Sequence, residues 1–343
     1  MSDQMQRVTL ASRPSGAPVA ANFKLETAPV PSPGNGEVLV RVHYMSLDPY
    51  MRGRMDDAKS YAAPVPIGGT MEAGGVGEVI ASNSPAFQPG DIAFGMFGWA
   101  SHGCLPAVEL RKLDPAHGPI TAALGVLGMP GFTGWYGLTE FGRPKSGETL
   151  VVAAATGPVG SMVGQVARLA GLRTVGIAGG AEKCALAQEK FGFDACVDHR
   201  AHDTAADLRR AVGDACPDGI DIYFENVGGK EFEAVLPLMN TFGRIPVCGM
   251  IAGYNLGGVV PPGPDRLPML WRSVLIKHLS INGFIISNHF DLYPKFLGLI
   301  GPKVASGEIA YLEDIAEGLE NAPAAFIRLL TGGNMGKQIV KLI

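Results

Sequence analysis

The spacing of apolar and polar residues divides the chain into two parts. Up to about residue 120, apolar runs of strand length alternate with turns rich in proline and glycine, without a long helical repeat. Beyond that point, similar runs alternate with segments in which apolar residues recur every three or four positions. The first pattern predicts a small β-sandwich or barrel. The second predicts an α/β fold, with helices packed on a parallel, doubly wound sheet.

Individual strands and helices can be assigned within each part. In the first part, strands are predicted at Val38–Tyr44, Gly75–Ala81 and Asp91–Phe97. In the second part, six strands are predicted at Leu150–Ala155, Arg173–Gly180, Ala195–His199, Ile220–Val227, Gly243–Met250 and Leu279–Ile286. The intervening helices are predicted to start at Val159 and to span Ala181–Phe191, Thr204–Val212 and Lys230–Met239. Ligands of such a sheet bind at the carboxyl ends of its strands.

A glycine turn follows the first of these six strands. It reads TGPVG and contains Gly157, Pro158, Val159 and Gly160. Glycine lets the backbone approach a pyrophosphate closely, and the first helical turn offers free N–H groups to the anion. The same glycines could instead only allow the helix to pack closely on the strand, and the motif alone does not decide between the two. The six-strand context favours a dinucleotide site.

The end of the second predicted strand indicates which dinucleotide is bound. NAD-binding sheets place an acidic side chain there, about 20 residues beyond the glycine turn, to hold the ribose hydroxyls. Here the stretch reads AGGAEK, in which Gly179 leaves room and Lys183 supplies a positive charge. NADP(H) is favoured, because a carboxylate at this place would repel the 2′-phosphate. In the alternative, Lys183 is simply solvated in a first helical turn, and the neighbouring Glu182 opposes an anion.

Two further strand ends carry polar side chains. Asn226 follows the fourth predicted strand, where the nicotinamide half of a dinucleotide should lie. Cys248 belongs to the fifth strand, and Tyr254 lies just past it. A phenol at this edge can donate a hydrogen bond to a substrate carbonyl and stabilise an enolate oxygen. Tyr254 could instead only stack on the cofactor.

Polar residues also concentrate in the segment SLDPYMRGR of the first part. Asp48 is expected to form a structural ion pair with Arg52 or Arg54, which would cap a turn. Tyr50 and the nearby Tyr61 could line an apolar pocket with a hydroxyl at its mouth. They could equally be core tyrosines with satisfied hydroxyl groups.

Composition excludes several classes of function. A net charge of −4 gives no basic surface for nucleic acid. The five cysteines lie far apart, so reduced and mostly buried thiols are expected rather than disulfides or structural zinc. The first residues lack the apolar core of a signal peptide, which predicts a cytoplasmic location. The weakly charged windows 121–139 and 149–167 are interrupted by glycine and proline, so they are predicted as buried core and not as membrane spans.

Long sequence blocks running through most of the chain carry a family resemblance. They are MSLDPYMRGRM (45–55), GMPGFTGWYGL (128–138), AAATGPVGS (153–161), IDIYFENVGGKEFEAVLPLMN (220–240), RIPVCGMIAGYN (244–255), PPGPDRLP (261–268), NGFII (282–286) and GLENAPAAFIRLLTGGNMGKQIVK (318–341). The chain resembles the zinc-independent branch of the medium-chain dehydrogenase/reductases. Within this branch, it is similar to the leukotriene dehydrogenase/prostaglandin reductases, the plant alkenal double-bond reductases and the bacterial NADPH-dependent curcumin reductases.

The resemblance implies an architecture and an activity. It implies a GroES-like substrate domain built from residues 1–125 and 300–343, and a Rossmann NADP-binding domain at residues 126–299. A homodimer is expected. The implied reaction is the NADPH-dependent reduction of a C=C bond conjugated to a carbonyl, as in enones and alkenals.

The resemblance also implies roles for individual residues. Gly157, Val159 and Gly160 would contact the pyrophosphate, Lys183 the 2′-phosphate, and Asn226 the ribose and nicotinamide. The other cofactor contacts expected are Met129, Thr133, Pro158, Gly179, Cys248, Phe284 and Asn334. Tyr254 would hydrogen-bond the substrate carbonyl or the ribose hydroxyl.

The sequence departs from the family at one position of interest. Where prostaglandin reductases have a tyrosine to hold the 2′-phosphate, this chain has His199, with Arg200 beside it. A histidine can still donate a hydrogen bond, so NADP(H) preference is expected to persist with a different pH dependence. The zinc-dependent branch has a G-H-E block where this chain reads GGTMEAGGVGEV, so no metal is expected.

These residues together predict an enone reductase. The nicotinamide would deliver hydride to the β-carbon while Tyr254 and a ribose hydroxyl stabilise the carbonyl oxygen. The α-carbon would take its proton from solvent or from a phenol, namely Tyr254, Tyr50 or Tyr61. One alternative is a quinone reductase, carbonyl reductase or alcohol dehydrogenase on the same fold. Another is a protein that binds NADPH without catalysing a reaction.

Overall fold

The computed structural model describes residues 4–115, 118–257 and 264–343. The start of the PPGPDRLP block, 261–263, lies outside the described residues. The strands are β1 (Gln4–Leu10), β2 (Phe23–Pro29), β3 (Glu37–Ser46), β4 (Gly75–Ser82), β5 (Ile92–Gly95), β6 (His102–Pro106), β7 (Arg111–Leu113), β8 (Thr149–Ala153), β9 (Arg173–Ala178), β10 (Ala195–Asp198), β11 (Ile220–Phe224), β12 (Met239–Val247), β13 (Ser280–Gly283), β14 (Glu313–Glu317) and β15 (Lys337–Lys341). The helices are α1 (Met129–Tyr136), α2 (Pro158–Leu169), α3 (Ala181–Glu189), α4 (Ala205–Ala215), α5 (Gly229–Val235), α6 (Leu267–Lys277), α7 (Tyr293–Ala305) and α8 (Ala322–Leu330).

The chain forms two compact units, which are not continuous in sequence. Unit 1 contains residues 1–125, 254–257 and 313–343, and unit 2 contains residues 126–253 and 258–312. In unit 1, a sheet in the order β14-β15-β3-β4-β5-β7 is joined by β6, which pairs with β3, while β1 and β2 form a separate antiparallel pair. The C-terminal strand β15 therefore lies inside a sheet built mainly from the first third of the chain.

The core of unit 1 is rich in aromatic and aliphatic side chains. Trp99 is fully buried and stacks on Phe23 with ring centroids 5.4 Å apart. Phe326 of α8 meets both rings edge-on. A helix near the C-terminus therefore closes a core that begins with an N-terminal strand, and burial of this apolar surface stabilises the unit.

Unit 2 contains the predicted parallel sheet. Its order is β10-β9-β8-β11-β12-β13, and each neighbouring pair is parallel. The chain order reverses between β8 and β11, so the crevice for a ligand is expected at their carboxyl ends. The side chains of β8 and most of those in β9 and β11 are buried, as expected for central strands covered on both faces. The predicted fold class, a β-rich domain plus a six-stranded doubly wound sheet, is confirmed.

The fifth strand and the helix before it differ from the prediction. The helix predicted at Lys230–Met239 ends at Val235, and a 3-10 turn containing Pro237 follows, because proline cannot donate the next helical hydrogen bond. The strand begins at Met239 instead of Gly243. Its pairing with β11 shifts register between Ile220 and Ile222, and Phe242 has a positive φ of 63° there. This bulge interrupted the apolar pattern and concealed the strand's start.

The ion pair predicted for Asp48 has a different partner. Its carboxylate lies 2.7 Å from the ammonium group of Lys337 on β15, and Lys337 also donates to the backbone oxygen of Leu47. Arg52 pairs with Asp56, and Arg54 with Glu72. The prediction of an Arg52 or Arg54 partner was wrong because the true partner, 289 residues away in sequence, reaches Asp48 only through the β15–β3 pairing.

The remaining structural expectations concern cysteines and membrane spans. All five cysteines are free thiols, with Cys184 and Cys216 buried and the other three half-buried. The windows 121–139 and 149–167 form α1, β8, most of α2 and short connecting turns. Among the described residues, no helix has both the length and the apolar character needed to cross a membrane.

Candidate functional site

The predicted cofactor residues of unit 2 gather at one edge of the parallel sheet. The segments just past the carboxyl ends of β8, β9, β10, β11, β12 and β13 carry, respectively, the glycine turn, Gly179, His199, Asn226, Cys248 and Phe284. The carboxyl ends of parallel strands lie at the same edge, so residues far apart in sequence face one crevice.

The turn after β8 is shaped by close backbone packing. Ala154 has a positive φ of 53°, and a Cβ on Gly160 would collide with the Ala154 carbonyl oxygen and lie 2.9 Å from the Cα of Ala155. Gly160 therefore fulfils the packing role that the sequence left as an alternative. The turn also offers donors, because Val159 and Gly160 belong to the first turn of α2, where N–H groups lack intrahelical acceptors. The packing role is therefore observed, and pyrophosphate binding by the turn remains a prediction.

A cationic subsite lies at the end of β9. A Cβ on Gly179 would come within 2.8 Å of His199 Nε2 and 2.9 Å of Arg200 Nε, so both side chains converge on this glycine. The carboxylate of Asp198 lies nearby, but its Oδ1 accepts hydrogen bonds from the backbone N–H groups of Gly180 and Arg200. Lys183 is half-buried in the first turn of α3. We name Gly179, Lys183, His199 and Arg200 the outer subsite.

A buried acid supports the outer subsite from α5. Glu231 Oε1 lies 2.8 Å from His199 Nδ1, and the Glu231 side chain is 8% exposed against 31% for His199. Burial raises the pKa of Glu231, but the hydrogen bond with His199, a backbone hydrogen bond and nearby positive charge including Lys230 together outweigh burial, so the pKa is lowered and the carboxylate stays charged at neutral pH. Glu231 was not predicted as a site residue, because nothing in its local sequence indicates a contact with the segment after β10.

The centre of the edge holds neutral groups in fixed orientations. Asn226 Nδ2 donates to the backbone oxygen of Ala153 at 2.7 Å, and the Cys248 thiol donates to Asn226 Oδ1 at 2.8 Å. Burial raises the pKa of Cys248 far above its ordinary value, and the nearby Glu225 adds to this, so the thiol keeps its proton. Glu225 Oε1 accepts from the backbone of Val227 and Gly228, which holds the turn that carries Asn226. We name Ala153, Asn226 and Cys248 the central subsite.

The other predicted contacts of unit 2 lie on or near α1. Thr133 is buried and donates to the backbone oxygen of Met129 at 2.8 Å. Phe284 packs its ring against Tyr136 and Phe141, with centroids 5.6 Å and 5.5 Å away. Phe284 therefore packs against aromatic side chains on and just after α1, and its contact with the cofactor remains a prediction.

The predicted residues of unit 1 have separate surroundings. Burial and nearby carboxylates raise the pKa of Tyr50, so its phenol keeps its proton at any physiological pH. The exposed ring of Tyr61 lies 4.4 Å from the guanidinium carbon of Arg54. Asn334 is buried and donates to the backbone oxygen of Gly336, while Tyr254 lies half-buried in the 3-10 segment Ile251–Leu256.

These side chains fit a phosphorylated dinucleotide. The N-terminus of α2 suits the pyrophosphate, and the outer subsite offers cations. The side-chain amide of Asn226 has two N–H groups and donates one of them to the backbone oxygen of Ala153, so the other is available to a ligand. Within residues 4–115, 118–257 and 264–343, no cluster of three or more His, Cys, Asp or Glu side chains is placed to hold a metal ion. The absence of a metal remains a prediction.

Two families match the chain by sequence. Residues 6–113 match the family described as the N-terminal domain of oxidoreductase, and residues 158–301 match the family described as zinc-binding dehydrogenase. The second description names a metal, but among the described residues of this region no three His, Cys, Asp or Glu side chains are grouped to hold one.

Individual relatives and solved structures match over nearly the whole chain. The chain is 53% identical over 338 residues to the NADPH-dependent curcumin reductase of Escherichia coli (strain K12), covering 98% of this chain and 96% of that protein. It is 40% identical over 340 residues to the 2-alkenal reductase (NADP(+)-dependent) of Nicotiana tabacum, covering 98% and 96%. The crystal structure of CurA from Vibrio vulnificus in complex with NADPH superposes with a TM-score of 0.93 at 49% identity, covering 98% and 99%. The resemblance is thereby confirmed: the chain belongs to the medium-chain dehydrogenase/reductase family, in the branch that contains the curcumin and 2-alkenal reductases.

Proposed function

We propose that this protein reduces the C=C bond of α,β-unsaturated ketones and aldehydes with NADPH. The observation that carries the proposal is the 53% identity, over almost the entire chain, to a reductase named for NADPH and curcumin. A second relative is named for 2-alkenals, which share with curcumin a C=C bond conjugated to a carbonyl. The outer subsite provides independent support, because its cations suit a 2′-phosphate.

The cofactor is bound by the edge of the parallel sheet. The N–H groups of Val159 and Gly160 contact the pyrophosphate, and the outer subsite binds the 2′-phosphate. Asn226 presents its remaining amide hydrogen to the ribose and nicotinamide half. Met129, Thr133 and Asn334 complete the binding residues. Residues 126–299 act as the NADP-binding domain, and residues 1–125 with 300–343 act as the substrate domain.

Substrate chemistry requires a donor to the carbonyl oxygen. Bound NADPH supplies the hydride for the β-carbon. Tyr254 donates its phenolic hydrogen to the carbonyl oxygen, which becomes negatively charged during the reaction. The raised pKa of Tyr50 keeps its phenol protonated, which excludes it as a base and also makes it a weak acid, so solvent is the other proton source for the α-carbon.

Removal of the Tyr254 hydroxyl tests this assignment. In Tyr254→Phe, kcat should fall by roughly 10²- to 10³-fold, because one oxyanion donor is lost, while the dissociation constant for NADPH stays within about twofold. Stopped-flow and fluorescence titration measure the two quantities. An unchanged kcat would exclude Tyr254 as the donor.

A homodimer is the proposed assembly. Trp271 and Leu275, one turn apart on α6, are 65% and 75% exposed, and Leu267 lies on the same side of the helix. Strand β13 lies at one end of the parallel sheet, with Ile281 partly exposed. A second copy would cover these apolar side chains, and sedimentation velocity measures the assembly directly.

The proposed location of the protein in the cell is the cytoplasm.

The experiment that tests the function separates the alternatives. Protein, NADPH and 1-octen-3-one or curcumin are mixed, cofactor oxidation is followed by absorbance, and products are identified by mass spectrometry. The proposal expects the saturated ketone. An allylic alcohol would assign the protein to the carbonyl reductases, and tight NADPH binding without oxidation by any enone would indicate a non-catalytic binding protein.

A further inference from the structure

We propose that Glu231 is a positioning residue for cofactor choice: it holds the His199 ring so that Nε2–H faces the 2′-phosphate of NADPH. The proposal rests on the NADPH use inferred above and adds the residue that makes the outer subsite selective. Glu231 does not touch the cofactor in this account and acts only through His199.

The orientation of the imidazole ring follows from its two neighbours. Glu231 Oε1 is 2.8 Å from Nδ1, so Nδ1 carries a hydrogen and donates it to the carboxylate. Nε2 is at the opposite side of the ring and points to the space above Gly179, where Arg200 Nε also points. With Nδ1 paired to Glu231, Nε2 is the ring nitrogen that faces the cofactor side of the subsite.

The backbone around His199 is also held in place. Lys230, next to Glu231 on α5, donates to the backbone oxygens of His199 at 2.8 Å and His202 at 2.6 Å. Asp198 Oδ1 accepts from the backbone N–H of Arg200 at 2.9 Å. With the backbone fixed by these bonds, the Glu231 contact settles the remaining freedom, which is the rotation of the ring.

Charged groups on several elements surround this histidine. α5 contributes Glu231 and Lys230, the end of β10 contributes Asp198, and the segment after it contributes Arg200 and His202. Glu225, at the end of β11, has a pKa raised by burial and also by the charge of Glu231. Lys183 and Glu182 lie in the first turn of α3. Glu231 is in direct contact with the ring, with Oε1 2.8 Å from Nδ1.

Two simple accounts predict opposite effects of removing the Glu231 charge. If Glu231 acted only as a negative charge near a phosphate, its removal would strengthen NADPH binding, since like charges repel. If it orients and pairs with His199, its removal weakens the Nε2 donor and so weakens NADPH binding. The direction of the change therefore distinguishes the accounts.

The experiment measures the dissociation constants for NADPH and NADH by cofactor fluorescence at pH 7.5, where the 2′-phosphate, with a second pKa of about 6, is almost fully ionised. The wild-type protein should bind NADPH more tightly than NADH. Glu231→Gln should weaken NADPH binding roughly tenfold and leave NADH binding unchanged.

Three variants serve as controls. Glu182→Gln removes an exposed charge beside the same subsite and should leave NADPH binding unchanged or slightly tighter. His199→Gln should weaken NADPH binding and leave NADH binding unchanged. The double variant His199→Gln/Glu231→Gln should bind NADPH no more weakly than His199→Gln alone, because Glu231 acts through the ring. The His199 variants keep the test available if Glu231→Gln folds poorly.

The possible results separate this inference from the proposed function. A selective loss of NADPH affinity in Glu231→Gln supports the inference. Tighter NADPH binding in that variant, or an equal loss for NADH, overturns it while the NADPH assignment stands. A wild-type protein that binds NADH as tightly as NADPH overturns both.

Discussion

The outer and central subsites share one sheet edge but use different physical means. The central subsite fixes an amide between a backbone oxygen and a neutral thiol, so it offers direction without charge. The outer subsite places an imidazole and a guanidinium over a glycine, with a buried carboxylate behind the imidazole. Neutral directional groups suit the uncharged nicotinamide and ribose, whereas charged groups suit a phosphate. Changes at the centre should therefore affect NADPH and NADH alike, and changes at the outer end should affect NADPH alone.

The glycine turn lies between the two subsites and should give the largest effect. In Gly160→Ala, the new Cβ meets the backbone of Ala154 and Ala155, which cannot move aside as a flexible side chain could. We expect the affinity for both cofactors to fall by more than about 100-fold and stability to fall by about 1–3 kcal/mol. Calorimetry and cofactor titration measure these losses. Gly301→Ala is the matched control: it lies within α7 with open space around it, so alanine should not destabilise the protein.

A change in the outer subsite should have the next largest effect. Lys183→Ala removes a cation from the first turn of α3, and NADPH affinity should fall roughly 10- to 100-fold while NADH affinity is unchanged. The dissociation constant for NADPH should also become less sensitive to salt. Lys190→Ala, at the exposed far end of the same helix, removes an equal charge and should change neither constant. An equal loss of NADH affinity in Lys183→Ala would mean that the two subsites do not act independently.

A change in the central subsite should be smaller and show no cofactor preference. Asn226→Ala leaves the Ala153 oxygen and the Cys248 thiol without their partner, so both cofactors should bind about three- to tenfold more weakly. The ratio of the NADPH and NADH dissociation constants should stay constant. Cys248→Ser keeps a donor to Asn226 and should lie closer to wild type. If Asn226→Ala weakened NADPH alone, the contrast between the subsites would be wrong.

The sequence predicted the sheet well because periodicity is a local signal. Six apolar runs separated by helical patterns are enough to define a doubly wound sheet. The start of β12 was mispredicted, since the bulge at Phe242 breaks that signal. The roles of the predicted cofactor residues remain predictions.

Contacts between residues that are far apart along the chain could not be predicted from the sequence. Asp48 is followed closely in sequence by Arg52 and Arg54. Its partner is nevertheless Lys337, which the β15–β3 pairing brings to it. Glu231 similarly reaches His199 only because β10 and the start of α5 end up side by side. The local stretch AGGAEK could indicate a phosphate site, but the acid behind the histidine could be found only from the fold.

The destination of the hydride tests the central claim most directly. The protein is incubated with 1-octen-3-one and NADPH carrying deuterium at the transferred position of the nicotinamide, and the product is examined by NMR. The account predicts a saturated ketone with deuterium on the β-carbon. Deuterium on the former carbonyl carbon, in an alcohol that retains its C=C bond, would contradict it.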